Sequence, residues 1–195
     1  GSSVSFAGDT GIEVQSGGTF ISAGSAEARN MFSPLVESSP WSGINVFASG
    51  TAHLFSSDLQ YCGRVIGACI KNSGGLVRVE DGGITHTVSA QSVQMRAGET
   101  SMLCSRIVEE NGGALMSSGV NMTGGILSIE NTLFHGMDYG IYAFSGADMS
   151  LSQTLSLFEN IRIAPLFPET LFDTWYGAPA PLDAESSSFV PAVIE

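Results

Sequence analysis

The chain has 195 residues, a length that suits one domain with a substantial buried core. Only 13% of residues are charged, and seven basic against nineteen acidic side chains leave a net charge of −12, with Lys71 the sole lysine. That balance excludes a phosphate-neutralising basic stripe, and so a nucleic-acid partner, and it disfavours an anionic membrane surface.

In chain order, the segment opens Gly-Ser-Ser without an initiator Met, which reads as a processed product or an expression remnant. An internal repeat then emerges with Gly11, Gly43, Gly67, Gly113 and Gly140 as its zero points. The next position holds Ile12, Ile44, Ala68, Ala114 and Ile141, and the third holds Val14, Val46, Ile70, Met116 and Ala143. All are apolar, while the position between them has no shared character, so each segment predicts a short strand with one buried face. A second glycine (Gly18, Gly50, Gly74, Gly119, Gly146) follows where the backbone must turn.

The zero points lie 32, 24, 46 and 27 residues apart. The longest gap divides into two units, the second a degenerate one near Ala90 to Gly112. The 32-residue gap contains an insertion around Arg29 to Trp41, with Pro34 and Pro40, that is expected to loop off the body. Residues Ala26 to Phe32 hold the nearest approach to a helical stripe. Further strands are expected at 76–80, 84–89, 126–134 and 149–158. No apolar run approaches the 18 residues a spanning helix needs. From Ile161 to Glu195 the composition changes: five of seven prolines fall here, with Trp175, Tyr176 and three phenylalanines. That density predicts the end of the repeat and a cap or docking tail packed through Leu166, Phe167, Phe172 and Trp175.

Three short strands per turn of about 22–27 residues, with small residues at corners, predict a parallel solenoid of about six to seven coils. An antiparallel β-sandwich accounts for short strands and frequent turns, but not for shared inward positions at one period. The expected domains are a β-helix over 1–160 and a Pro/aromatic-rich tail over 161–195.

Two phrases, GGILSIENTLFHG (124–136) and YGIYAFSGADMSLSQTLSLFEN (139–160), combine glycine, alternating aliphatics and a Phe beside Asn or Gly. This cadence resembles the right-handed parallel β-helix superfamily, the fold of pectin-lyase-like proteins and bacterial surface passengers. GGAL (112–115) is similar to the repeat of polymorphic outer-membrane passengers, although the companion FxxN is not met. The resemblance implies an extracellular, cell-surface or virion-surface location. It also raises carbohydrate-active chemistry, since lyases of this fold stack carboxylates to hold calcium and hydrolases pair them across a sugar bond.

The predicted outward row reads Glu13/Gln15, Asn45/Phe47, Cys69/Lys71, Leu115/Ser117 and Tyr142/Phe144, with one carboxylate and one lysine. That is not a catalytic face. His135-Gly136 and Arg162-Ile163 echo polygalacturonase motifs, but Ala164 stands where lysine is expected and no aspartate pair adjoins them. Glu80-Asp81 and Glu109-Glu110 read as turn acids. His53, His86 and His135 fall in different columns, which argues against a shared metal, and neither metal nor cofactor is expected. Cys62 and Cys69 are placed either to staple a loop or to serve as small buried side chains, and Cys104 is left over.

The expected binding residues are Asn45, Phe47, Tyr142 and Phe144, on a flat outward face where aromatics stack on sugar rings or pack on protein. The function expected is a non-catalytic stalk, passenger or adhesive module. Its partners would be polysaccharide or surface protein, with self-association through coil ends or the tail. The alternatives are a carbohydrate-active enzyme of the same fold and a structural subunit of a fibre or tail-spike assembly.

Overall fold

A computed structural model describes residues 1–85, 87–109, 117–144, 149–168 and 174–177. Within them the chain is all-β, and its parallel strands stack as a solenoid of about six turns. The first level comprises β1 (Ser3–Phe6), β2 (Gly11–Val14) and β3 (Thr19–Ala23). Above it lie β4 (Asn30–Pro34), β5 (Gly43–Phe47) and β6 (Thr51–Phe55). The next two levels are β7 (Ser57–Gln60) with β8 (Ile70–Glu80), then β9 (Gly83–Thr85) with β10 (Gln91–Leu103). In these, one long strand bends across a corner and serves two faces. After them come β11 (Arg106–Val108), β12 (Ser118–Met122) and β13 (Gly125–Glu130), then β14 (Leu133–His135), β15 (Tyr139–Ala143) and β16 (Met149–Thr154). The last level is β17 (Leu157–Glu159), β18 (Ala164–Pro168) and β19 (Thr174–Gly177).

Each level stacks in register on the next, so inward side chains form columns. The first face stacks Ile44, Ile70, Val93, Val120 and Ile141. The third stacks Phe32, Leu59, Ile84, Ile107, Phe134 and Phe158. Almost all of these are fully buried, and Phe134 lies flat on Phe158 with centroids 4.8 Å apart. Such a ring pair adds about 0.5–1.5 kcal/mol to the area it buries.

Polar side chains also enter the core columns, Ser22, Asn72, Thr100 and Gln153 among them. Asn72 lies in the column between Val46 and Met95 and is completely buried. Its Nδ2 donates to the Gly75 and Glu99 carbonyls and to Thr100 Oγ1, while its Oδ1 accepts from the Gly74 and Gly75 amides. With every polar valence met, burial carries no orphan penalty. The bonds hold the bend in β8, beside which the β5–β8 ladder slips at Phe47.

The structure corrects several expectations. The stretch Arg29 to Trp41 does not loop off: β4 lies within it, paired with β1 and β7, and Trp41 is fully buried. Pro34 is tolerated because it ends the strand, beyond the last β4–β7 pair at Phe32. Ala26 to Phe32 forms no helix; an isolated antiparallel bridge joins Ser25 to Ala28, and β4 follows. The stack does not stop at residue 160, since β18 and β19 pair in parallel with β15 and β16. Phe172, Pro179, Pro181 and Pro191, like the GGAL phrase, lie outside the described residues.

The repeat frame also changes. Gly11 and Gly43 align as expected, but Ile44 stacks on Ile70 rather than Ala68, a slip of two residues. The fifth level enters through Gly119 and Val120 instead of Gly113 and Ala114. Equivalent inward positions on the first face are therefore 32, 26, 23, 27 and 21 residues apart.

Candidate functional site

The outward row of the first face, in the observed stacking, is Glu13, Asn45, Lys71, Gln94, Asn121 and Tyr142. Each occupies the exposed phase of its strand, between two inward residues, so successive levels set these side chains about 4.8 Å apart. Asn45 and Asn121 are nonetheless buried, Lys71 and Gln94 half-buried, and Arg96, two residues beyond Gln94, exposed. Partial burial, with Arg96 nearby, lowers the Lys71 ammonium below the ordinary lysine value. Two buried carboxamide oxygens, Asn45 Oδ1 and Gln94 Oε1, have no hydrogen-bond partner, and they occupy the levels on either side of Lys71.

The four residues expected to bind a partner fall at two ends of this strip. Asn45 and Phe47 lie on β5, Tyr142 and Phe144 at the end of β15, four levels away, or roughly 19 Å at one strand spacing per level. Tyr142 is not the open platform expected: it is 7% exposed, held edge-to-face between Tyr139 and Phe144 with centroids 4.8 and 4.6 Å away. Phe144 is 36% exposed and Phe47 half-buried. Sequence reasoning placed Lys71 on the outward face but two residues out of register, beside Phe47, and it missed Gln94 and Asn121, whose levels lay in the degenerate unit and behind the misplaced Gly113 frame. The buried amide pattern of Asn72 before Gly74-Gly75 was the available signal for that slip.

Beside the strip, at the corner between first and second faces, glycine recurs on successive levels. Gly50, Gly74, Gly75, Gly98 and Gly125 line a shallow groove of about 590 Å³, rimmed by Ser49, Thr51, Leu76, Glu99 and Ile126. Gly98 requires its hydrogen: its φ is +80°, and a Cβ there would collide with the Gly75 carbonyl oxygen. The groove is therefore walled by close-stacked backbone.

Apart from Glu13 in the strip and Glu99 at the groove, several acidic residues are committed to the other corners. Arg29 grips Asp58 with two bonds, Nε to Oδ2 at 2.7 Å and Nη2 to Oδ1 at 3.0 Å, and reaches Asp81 Oδ2 at 2.9 Å. Ser56 donates to Asp81 Oδ2 at 2.6 Å, and Arg106 approaches Asp58 at 3.4 Å. The Ser56 hydrogen bond and Arg29 lower the Asp81 carboxyl below its usual value, the opposite of what a proton-donating acid needs. Glu109 is buried and accepts from the Thr87 amide and hydroxyl and from Ser92, so it is no solvated turn acid. Arg162 Nε binds Asp138 at 2.7 Å while its Nη2 donates to Ser117, and His135 lies between Glu159 and Asn160. The His135-Gly136 and Arg162-Ile163 echoes thus adjoin the corner out of the third face on successive levels, where Arg162 pairs with Asp138 and His135 lies within hydrogen-bond reach of Glu159. His86 and Glu110 lie outside the described residues.

Cys62 and Cys69 form a disulfide, which settles the alternative the sequence left open, and Cys104 is free and exposed. Comparison with protein-family models and with curated proteins finds no match. What the strip can do follows from its own geometry: two unpaired acceptor oxygens, one ammonium between them and aromatic rings at either end can hydrogen-bond and stack.

Proposed function

We propose that this chain is a non-catalytic β-helical binding module, acting as a stalk, passenger or adhesive domain whose first face takes a hydroxyl-rich ligand such as a glycan. The observation that supports this best is the pair of orphaned oxygens, Asn45 Oδ1 and Gln94 Oε1, flanking Lys71. These carboxamides lack internal partners, and rotation of the side chains toward the surface would let ligand hydroxyls supply the missing bonds. Phe47 and Phe144 add ring faces at the two ends. The disulfide suits an oxidising, extracellular or surface location, and the resemblance to pectin-lyase-like and passenger proteins points the same way.

A glycan panel read by calorimetry tests the reading. Lys71→Gln should weaken binding about tenfold or more, the effect of one lost charge-assisted hydrogen bond, and Phe144→Ala should weaken it less. Absence of binding across neutral and acidic glycans, or binding untouched by both substitutions, overturns it.

The second reading, a carbohydrate-active enzyme of the same fold, draws on Lys71 alone. A lysine held below its usual value is the kind that accepts protons. Release of reducing ends from polysaccharide, abolished by Lys71→Gln, would favour it.

A further inference from the structure

Seven basic side chains face nineteen acidic ones in this chain, so carboxylate partners are in excess. Arg29, Arg64, Arg78, Arg106 and Arg162 each bind at least one. The remaining two cations, Lys71 and Arg96, pair with no carboxylate among the described residues, and they lie beside one another. Lys71 stacks on Gln94, and Arg96 follows two residues later on the same strand. Partial burial, and then repulsion from Arg96, hold the Lys71 ammonium below its ordinary value. Two like charges left together, with carboxylates to spare, are a local cost that the fold does not need, and real chains keep such costs at functional sites.

The backbone contributes to this placement. While β8 advances one residue, from Asn72 to Ser73, β10 advances two, from Met95 to Ala97, so Arg96 is the extra residue of a bulge. A bulge re-aims the side chain it carries, and Arg96 is exposed at the edge of the first face. Gln94 lies about 4.8 Å from Lys71 along the stack, and Arg96 about 7 Å from Gln94 along the strand. The three therefore mark a triangle rather than a line. The only carboxylate in the row is Glu13, two levels below Lys71, and it accepts a hydrogen bond from Gln15. Glu99 lies past the corner, on the second face.

Resting on the reading of this face as a glycan-binding surface, we propose that the glycan carries a sulfate ester seated between Lys71 and Arg96. A sulfate ester presents three terminal oxygens in three directions, which suits donors set in a triangle. A carboxylate presents two in one plane and suits a single guanidinium fork. The Asn45 and Gln94 carboxamides, whose oxygens lack partners, occupy the levels on either side of Lys71 and would hydrogen-bond the neighbouring sugar. The net charge of −12 repels a densely sulfated polymer, with a range of about 8 Å at physiological salt, so a sparsely sulfated glycan fits better.

Matched galactan, glucan and N-acetylhexosamine oligosaccharides, each neutral, singly sulfated or carrying one uronate, test this by calorimetry on the full chain. A sulfated form should bind about tenfold or more tighter than its neutral and uronate counterparts, the effect of one charge-assisted hydrogen bond. Arg96→Gln should remove that preference while leaving affinity for the neutral form largely unchanged, and Lys71→Gln should remove it as well. Neither substitution should lower the melting temperature, because each relieves repulsion between the two cations. Arg78→Gln, at an exposed cation on the second face, should leave the preference intact. Equal affinity for neutral and sulfated forms overturns the inference and leaves the glycan reading standing, whereas no binding by any form removes both. Uronate forms that bind as tightly as sulfated ones, or a sulfate preference that survives both substitutions, also overturn it.

Discussion

The two corners flanking the third face solve the same turning problem in opposite ways. From the second face into the third, two residues at most make the turn: Ser56-Ser57, of which Ser57 already opens β7, then Asp81-Gly82, Cys104-Ser105, Asn131-Thr132 and Leu155-Ser156. The first of each pair lies at a φ between +42° and +51°. At Ser56, Asp81, Cys104 and Asn131 its amide donates to a carbonyl of the next level, as Ser56 does to Glu80 and Cys104 to Glu130. The second is a buried hydroxyl residue in four of the five cases, donating to the carbonyl two residues back. Out of the third face, by contrast, the connections run from three to nine residues. There the disulfide, the Arg64–Asp9 and Arg162–Asp138 pairs, buried Trp41 and buried Glu109 hold the chain. A corner made by backbone bonds accepts serine, aspartate, cysteine, asparagine or leucine at one position. A corner of variable length needs particular side chains, and so the distinctive chemistry gathers in it.

The largest test of that contrast lies at the tight corner's one exception. After β3 the chain takes a wider path through Gly24 to Arg29, and Arg29 ties Asp58 and Asp81 of the next two levels. Arg29→Ala should cost about 3–5 kcal/mol in urea unfolding, because it strips the main partner from the buried Asp58 carboxylate. A loss near zero would mean that backbone bonds alone hold the tight corners. The same substitution should make the acid limb of stability less steep without abolishing it, since the Ser56 hydrogen bond, the larger cause of the Asp81 shift, remains. Asp81 is depressed in the fold, so its contribution is complete above the ordinary aspartate range and is lost as pH falls through its lowered folded value.

At the variable corner, Cys62→Ser with Cys69→Ser should cost about 2–3 kcal/mol, from the entropy of the short loop the bond closes. Reductant should reproduce that loss in the parent chain and add nothing to the double variant. The smallest effects separate the two positions of a tight corner. Ser105→Ala should cost about 1 kcal/mol for its buried hydroxyl bond, while Leu155→Gly, at an exposed left-handed position, should raise stability by about 1 kcal/mol. A loss at Leu155 would show that the corner reads side chains after all.

Much of the architecture was legible. Alternation in GINVF placed Ile44 and Val46 inward correctly, and LVRVE was read as a strand, since a period of two follows from the pleat itself. The candidate site was legible only at its ends. Asn45, Lys71 and Tyr142 were all placed on the outward face, but Lys71 was aligned with Phe47 instead of Asn45 and Gln94 was not placed at all, and the burial of Tyr142 by its aromatic neighbours left no periodic trace. Nor did the arginine clamps: Arg29 precedes Asp58 by 29 residues and Asp81 by 52, and no local pattern joins them.

The sequence by itself determined that this is an all-β solenoid with small residues at its corners, because alternation and recurrent glycine are local properties that each level carries independently. Only the tertiary structure decided which residue stacks on which. A slip of two residues keeps every side chain on its face, so periodicity is blind to it. The hydrogen-bonded ladder and the fully satisfied Asn72 are not, and they set the row in which the lysine and the unpaired carboxamides meet.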